Sequence, residues 1–197
     1  MEPQIHEVIS YQADFLKKEE ANSLFKHLIK YDDLTQMMVM QAATGDTFKC
    51  NFGKMMFIDN DLIATNKFPA IIWGTSTSWS EEMLTIKQRV EQLTQTEFKT
   101  CVCIYYPDGN SGVDFHSDRS AFGDTSILPS LSLGEERKFC LRNIKSKEET
   151  CMVLKHGSLV VMQNGCQEHY EHSLPINPAY KNPRINITFR KYGYETK

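Results

Sequence analysis

Residues 184–190 form the most regular stretch of the chain, Arg184-Ile185-Asn186-Ile187-Thr188-Phe189-Arg190. Apolar and polar side chains alternate at every position, and this period of two is typical of a β-strand with one buried face. The polar face has two interpretations: it meets solvent, or it lines the inside of a jelly roll. In the second case the guanidinium groups of Arg184 and Arg190 lie within reach of a small dicarboxylate and bind its carboxylates in bidentate fashion.

Other short β-rich runs surround this strand in the C-terminal half. The sequence predicts strands at residues 101–106, 128–133, 138–144, 150–154 and 158–163. Turn residues separate them at 107–109, Gly134, 156–157 and 164–165, which is the pattern of an antiparallel sandwich or barrel. We therefore expect residues 100–197 to form a jelly-roll core.

The N-terminal half has a different pattern. Apolar residues recur at helical spacing from Asp14, a residue suited to N-capping, to about Tyr31, and again from Ser80 to about Gln95. Residues 35–79 have no sustained period, and we expect short hairpins and loops there. The predicted fold is α+β, a double-stranded β-helix (jelly roll) with N-terminal helices packed on one sheet. We expect one domain over 1–197, with helices and substrate-recognition hairpins in 1–99.

Composition sets broad limits on the class of protein. The 197 residues carry a net charge of -3 and include six cysteines. The charge does not indicate a surface for unselective phosphate binding, although it allows a local basic patch. The cysteines contain no C-x-x-C pair and are interpreted as reduced thiols. Since we find no signal peptide and no long apolar run, we expect a cytoplasmic or nuclear protein, monomeric by default, without a membrane partner.

His116 and Asp118 lie two positions apart, so on an extended segment both side chains project to one side and can bind the same ion. A third histidine would complete the set of two histidines and one carboxylate that leaves three positions open on an octahedral iron. Candidates in the β-rich half are His156, His169 and His172. His156 precedes a glycine in a predicted turn, and order along the chain does not choose between the other two.

Taken together, six elements resemble the AlkB family of 2-oxoglutarate dioxygenases. The resemblance covers residues 100–190 and rests on their order and spacing. The elements are Tyr106-Pro107-Asp108-Gly109, His116-Ser117-Asp118, Leu131-Ser132-Leu133-Gly134 with Arg137-Lys138-Phe139 and Arg142, Gly157-Ser158-Leu159-Val160-Val161-Met162, His172-Ser173-Leu174-Pro175 and Pro183 to Arg190.

The resemblance assigns roles to individual residues. It implies that His172 is the third metal ligand beside His116 and Asp118. It also implies that Arg184 pairs with the distal carboxylate of 2-oxoglutarate, helped by Tyr106. The remaining implied assignments are Asn186 and Arg190 at the end of the cosubstrate that chelates iron, and Arg142 on the substrate side. The chain departs from the family pattern at Ile104, where members often have asparagine, and at Ser120, where several have an acidic residue that contacts the target base.

The implied function is that of an Fe(II)-dependent enzyme that uses 2-oxoglutarate and O2 as cosubstrates. The expected reaction is oxidative demethylation of N-alkylated bases in DNA or RNA, as in DNA repair, with release of formaldehyde and succinate. Phe57 and Ser120 are candidate substrate contacts, Phe57 by stacking on a flipped base. One alternative is a dioxygenase that acts on a protein or small molecule, and another is a binding module without catalysis.

Overall fold

The computed structural model describes residues 3–42, 44–118, 120 and 123–193. Two facing sheets dominate it. The strands are β1 (Ile9–Gln12), β2 (Val39–Gln41), β3 (Thr47–Lys49), β4 (Gly53–Ile58), β5 (Thr75–Ser78), β6 (Thr100–Tyr106), β7 (Val113–His116), β8 (Leu128–Gly134), β9 (Arg137–Asn143), β10 (Glu149–Leu154), β11 (Leu159–Met162), β12 (Tyr170–Leu174) and β13 (Arg184–Arg190). Every strand predicted after residue 100 is present within a residue or two.

The major sheet has the strand order β1-β11-β8-β13-β6-β4-β5, and the minor sheet has the order β10-β9-β12-β7. All pairs are antiparallel except β4 with β5. Apolar side chains of both sheets meet in one cluster, in which Leu128 and Val160 of the major sheet lie with Phe139 and Leu141 of the minor sheet. Two packed sheets of this topology confirm the predicted jelly roll.

The helices are α1 (Ile5–Val8), α2 (Lys18–Leu28), α3 (Asp32–Thr35), α4 (Asn60–Ile63), α5 (Ala70–Trp73), α6 (Glu81–Thr94) and α7 (Cys166–His169). The two longest, α2 and α6, cover the face of the major sheet that points away from the minor sheet. The apolar stripes of α2 and α6 bury Leu24, Leu28, Met83 and Val90 against the sheet, as predicted. No helix in the described ranges is long and apolar enough to cross a membrane.

The ends of the two long helices test the capping predictions. Ser80 is the N-cap of α6, since its Oγ accepts a hydrogen bond from the Met83 N–H at 3.2 Å, and the helix ends at Gln95 in a left-handed conformation. The predicted N-cap of α2 at Asp14 is wrong by three residues, since the N-cap is Lys17. The Leu16 N–H donates instead to the Gly157 carbonyl, and the helix begins at Lys18.

The segment 35–79 is only partly the set of hairpins that we expected. β2 and β3 form a separate hairpin, but β4 and β5 join the major sheet. β4 was missed because it is buried on both faces, so its side chains do not alternate in polarity. Its first residue, Gly53, tolerates no side chain, because an added Cβ would lie 1.8 Å from the Leu34 carbonyl oxygen.

The expectation of six reduced thiols is wrong. Cys140 in β9 lies directly opposite Cys151 in β10, with 4.1 Å between the Cα atoms, and the two form a disulfide. Cys50, Cys101, Cys103 and Cys166 are free. A search for closely spaced cysteines missed the pair because strand register, not sequence spacing, brings the two residues together.

Breaking this disulfide is expected to destabilise the protein. The bond closes a loop with a sequence separation of 11, for which lost loop-closure entropy corresponds to about 2–3 kcal/mol. Cys151→Ser should therefore lower the free energy of unfolding by about that amount in denaturant melts without reductant. Cys50→Ser is the control, since Cys50 is free. Equal melts of Cys151→Ser and wild type, with no effect of dithiothreitol on either, would contradict the assignment.

Candidate metal and cosubstrate site

His116, Asp118 and His172 are brought together between the two sheets. His116 is the last residue of β7 and lies opposite His172 in β12, while Asp118 follows the end of β7. Their donor atoms all lie within 4.8 Å of one another. The group holds the two imidazoles and one carboxylate that suit Fe(II). His169 and His156, the other candidates for third ligand, are not part of the group.

Each imidazole has a nitrogen atom available as a metal ligand, for a different reason in each case. Nδ1 of His116 lies 2.9 Å from the Asp114 carbonyl oxygen, and in the tautomer that donates this bond Nε2 is left as a ligand atom. His172 is 8% exposed, and its Nδ1 has no hydrogen-bond partner among the described residues. Burial lowers the pKa of His172 to about 4, so its ring is neutral at pH 7. A buried, neutral imidazole with an unsatisfied nitrogen fits a metal ligand.

Asp118 lies beyond the paired part of β7, so side chains rather than the sheet fix its position. Its backbone N–H donates to Gln167 Oε1 at 2.7 Å, and its carboxylate Oδ1 lies 2.7 Å from Arg190 Nη2. The neighbouring Ser117 Oγ donates to the Tyr170 carbonyl at 3.0 Å. These contacts tie the Asp118 loop to the α7–β12 segment, which leads into His172.

Gln167 was not predicted, and we expect its loss to weaken metal binding. Gln167→Leu removes the acceptor for the Asp118 N–H, so the carboxylate is held less firmly. Loss of such outer contacts typically costs about 10–100-fold in metal affinity. Metal titration should show this loss while the melting temperature of the metal-free protein changes little. The control is Gln163→Leu at an exposed position. Metal affinity equal to that of wild type would exclude a positioning role.

The polar face of β13 had two interpretations, contact with solvent or lining of a jelly roll, and the structure favours the second. Its apolar residues Ile185, Ile187 and Phe189 are fully buried in the core beneath the helices. Its polar face lines the cavity between the sheets instead of meeting solvent, and the residues concerned are Arg184, Asn186, Thr188 and Arg190. The cavity encloses about 620 Å³, including its open mouth, and the metal-binding group lines its opposite side.

Arg184 is a buried cation without a carboxylate partner in the described part of the chain. It is 2% exposed, and its Nη2 donates to Ser132 Oγ at 2.9 Å and to Asn186 Oδ1 at 3.0 Å. Its Nε is buried without an acceptor. Burial lowers the pKa of Arg184 to about 10, so it stays charged at pH 7. Because burying an unpaired charge is costly, this geometry fits an anionic ligand such as a carboxylate.

Tyr106 and Asn186 support this guanidinium. The Tyr106 ring lies 5.5 Å from the Arg184 guanidinium carbon and 5.8 Å from that of Arg137, and burial raises the pKa of its hydroxyl. Asn186 Nδ2 donates to Thr188 Oγ1, so the polar face of β13 is linked by its own hydrogen bonds. Arg137 is a further buried cation that sequence reasoning did not single out as functional.

Arg137 holds the loops at one end of the cavity. Its side chain is 1% exposed and donates to the carbonyls of Asp108, Ser111 and Pro175 at 2.8–3.2 Å. In the sequence Arg137 belongs to one of the six elements that resemble the AlkB family, but neither that resemblance nor its position after Gly134 reveals its contacts with distant loops.

The three predicted substrate contacts, Phe57, Arg142 and Ser120, do not line the cavity that holds the metal-binding group. Phe57 is wrong as a base-stacking residue, because it is fully buried between Tyr31 and Trp79 on the helical side of the major sheet. Arg142 does not line the cavity. It forks onto Glu171 at 2.8 and 3.2 Å, and its guanidinium carbon lies 3.9 Å from the centre of the Phe115 ring. Ser120 is exposed, and its neighbours at 119, 121 and 122 lie outside the described residues.

Fold and site together define an oxygenase of the jelly-roll class, and the sequence matches this class over most of its length. The chain belongs to the 2OG-Fe(II) oxygenase superfamily, whose profile covers residues 9–190. This match and the relatives below confirm the resemblance to the AlkB family.

Relatives of the AlkB type are similar in sequence to part of this chain. It is 32% identical over 122 residues to mouse alpha-ketoglutarate-dependent dioxygenase alkB homolog 3, covering 57% of this chain and 43% of that protein. It is 32% identical over 130 residues to bovine DNA oxidative demethylase ALKBH2, covering 60% and 46%. The match thus spans less than half the length of these relatives. The solved structure of OsALKBH1 has the same fold, with a TM-score of 0.66 and 14% identity over 93% of this chain and 97% of that one.

Proposed function

We propose that this protein is an Fe(II)- and 2-oxoglutarate-dependent dioxygenase that demethylates N-alkylated bases in DNA or RNA. One observation carries the proposal: a group of two histidines and one carboxylate shares a cavity with the buried cation Arg184, which has no carboxylate partner among the described residues. His116, Asp118 and His172 would hold iron, and Arg184 would hold the distal carboxylate of 2-oxoglutarate. The names of alkB homolog 3 and ALKBH2 support this reaction class.

Bound iron would supply the oxidising chemistry: 2-oxoglutarate would lose CO2 and become succinate with one oxygen atom of O2, the other oxygen atom would hydroxylate the N-methyl group, and the hydroxymethyl group would leave as formaldehyde, returning a proton to the base nitrogen. The residues of the chain position the reactants and exclude water. Neutral His172 offers an imidazole nitrogen, while the contacts of Arg190 and Gln167 hold Asp118. Arg184 and Tyr106 orient the dicarboxylate. Because one chain contributes all of these residues, we propose that a monomer acts.

The substrate is tested with single-stranded oligonucleotides that each contain one methylated base: 1-methyladenine, 3-methylcytosine, 1-methylguanine or 3-methylthymine. The protein is reconstituted anaerobically with Fe(II), and succinate, formaldehyde and repaired base are measured after O2 is admitted. We expect the three products in equal amounts with at least one base. Succinate without base repair from any oligonucleotide would contradict the nucleic-acid assignment and direct the search to proteins or metabolites.

A further inference from the structure

Lys54 lies on β4, a strand that the sequence did not predict, beside one wall of the cavity. It occupies β4 and pairs in register with Ile104 of β6, so both side chains project from the same face of the major sheet. Ile104 lines the cavity that holds the metal-binding group. Trp73 and Ile104 pack on the same small apolar cluster beside it. Lys54 and Trp73 therefore flank Ile104 just outside the cavity lining, and we call these two residues the rim.

The Lys54 amine is held in place but carries an uncompensated charge. Its Nζ donates to the Ile72 carbonyl at 3.0 Å and lies 4.7 Å from the centre of the Trp73 ring. In the described part of the chain no carboxylate pairs with it, whereas Lys87, Lys99 and Lys191 each have one within 3.2 Å.

Other groups near Lys54 also fail to supply a negative charge. The pKa of Lys54 is lowered to about 8, first by burial and then by the positive charge of Arg190, so the amine is mostly protonated at pH 7. Burial raises the pKa of the neighbouring Cys50 thiol, which stays neutral. The Asp118 carboxylate is paired with Arg190. Lys54 therefore carries a positive charge that neither Cys50 nor Asp118 neutralises.

We propose that Lys54, held over Trp73, selects alkylated bases that are neutral and present a carbonyl oxygen, and rejects bases that carry a positive charge. Methylation at N3 of cytosine or N1 of adenine makes the ring cationic, whereas methylation at N3 of thymine or N1 of guanine leaves a neutral ring with carbonyl groups. A partly buried ammonium repels the first class and donates a hydrogen bond to the second. This inference rests on the proposed function and deepens it.

The test compares one oligonucleotide sequence carrying either 3-methylthymine or 3-methylcytosine. The measured quantity is the ratio of kcat/KM for the two bases. We expect the wild type to prefer 3-methylthymine. Lys54→Met, which keeps the length of the side chain and removes the charge, should move the ratio toward 3-methylcytosine by about tenfold or more. Lys54→Arg should retain the preference, and Lys49→Met at an exposed position in β3 should not alter it.

The ratio separates selection from folding, because a general loss of folded enzyme lowers both rates together. A wild type that prefers 3-methylcytosine, or a ratio unchanged in Lys54→Met, would overturn the inference while leaving the proposed demethylase intact. Absence of repair of any of the four methylated bases by the wild type would overturn both.

Discussion

Replacing His172 by alanine is expected to abolish Fe(II) binding under conditions where the wild type is saturated, and to stop succinate formation. The substitution leaves one imidazole and one carboxylate, too few ligands to hold the ion on one face. The loss should exceed the 10–100-fold effect typical of removing an outer contact, so we expect an affinity at least about 100-fold weaker. Anaerobic metal titration measures this directly, and a parallel succinate assay measures turnover.

The matched control is His169→Ala. His169 lies three residues away at the end of α7 and is outside the metal-binding group. Its variant should bind Fe(II) as the wild type does. Equal loss in both variants would indicate general damage to the segment, and normal binding by His172→Ala would remove His172 from the ligand set.

Replacing Arg184 by methionine is expected to raise the KM for 2-oxoglutarate by about 100-fold or more, since charged pairs of this kind typically contribute about 2–5 kcal/mol. The same substitution should not lower the stability of the ligand-free protein. Arg184 is a buried cation without a carboxylate in the described residues, so an apolar side chain removes a desolvation cost. The variant without ligands should melt at the wild-type temperature or above.

Thermal shift with added 2-oxoglutarate separates these effects. A ligand at about 100 times its Kd stabilises the folded state by about 2.7 kcal/mol, and we expect this stabilisation in the metal-loaded wild type but not in Arg184→Met. Arg89→Met is the control, because Arg89 pairs with Glu20 near the surface, 2.9 Å away. A 2-oxoglutarate shift that survives in Arg184→Met would contradict the proposed carboxylate site.

The parts of the fold that were predictable have a local cause. Strand β13 alternates because one face packs on helices and the other lines the cavity, and α6 has both a cap and a stripe. β7 and β12, which carry His116 and His172, were not recognised as strands. They are short, and their ends are set by pairing with each other through a bulge. β4 was not predicted because polar and apolar side chains do not alternate along it.

The same distinction holds for the site. His116 and Asp118 are neighbours in sequence, and their spacing could be interpreted directly. The third histidine was left open until the order of six elements resembled a known family. Gln167, Arg137 and Lys54 make their contacts with residues that are distant in sequence, so no local pattern marks them. Phe57 was misassigned because the sequence alone does not distinguish an aromatic residue of the core from one that stacks on a substrate base.

The most direct test of the account is a calorimetric titration of 2-oxoglutarate into the protein under anaerobic conditions, with and without Fe(II). The central claim is that the metal-binding group and Arg184 hold one metal and one dicarboxylate in the same cavity. We predict one molecule bound per chain, with affinity lost when either Fe(II) or the Arg184 guanidinium is removed. Two results would contradict the claim: 2-oxoglutarate binding that changes neither on removal of Fe(II) nor on removal of the Arg184 guanidinium, or no binding of 2-oxoglutarate by the Fe(II)-loaded wild type.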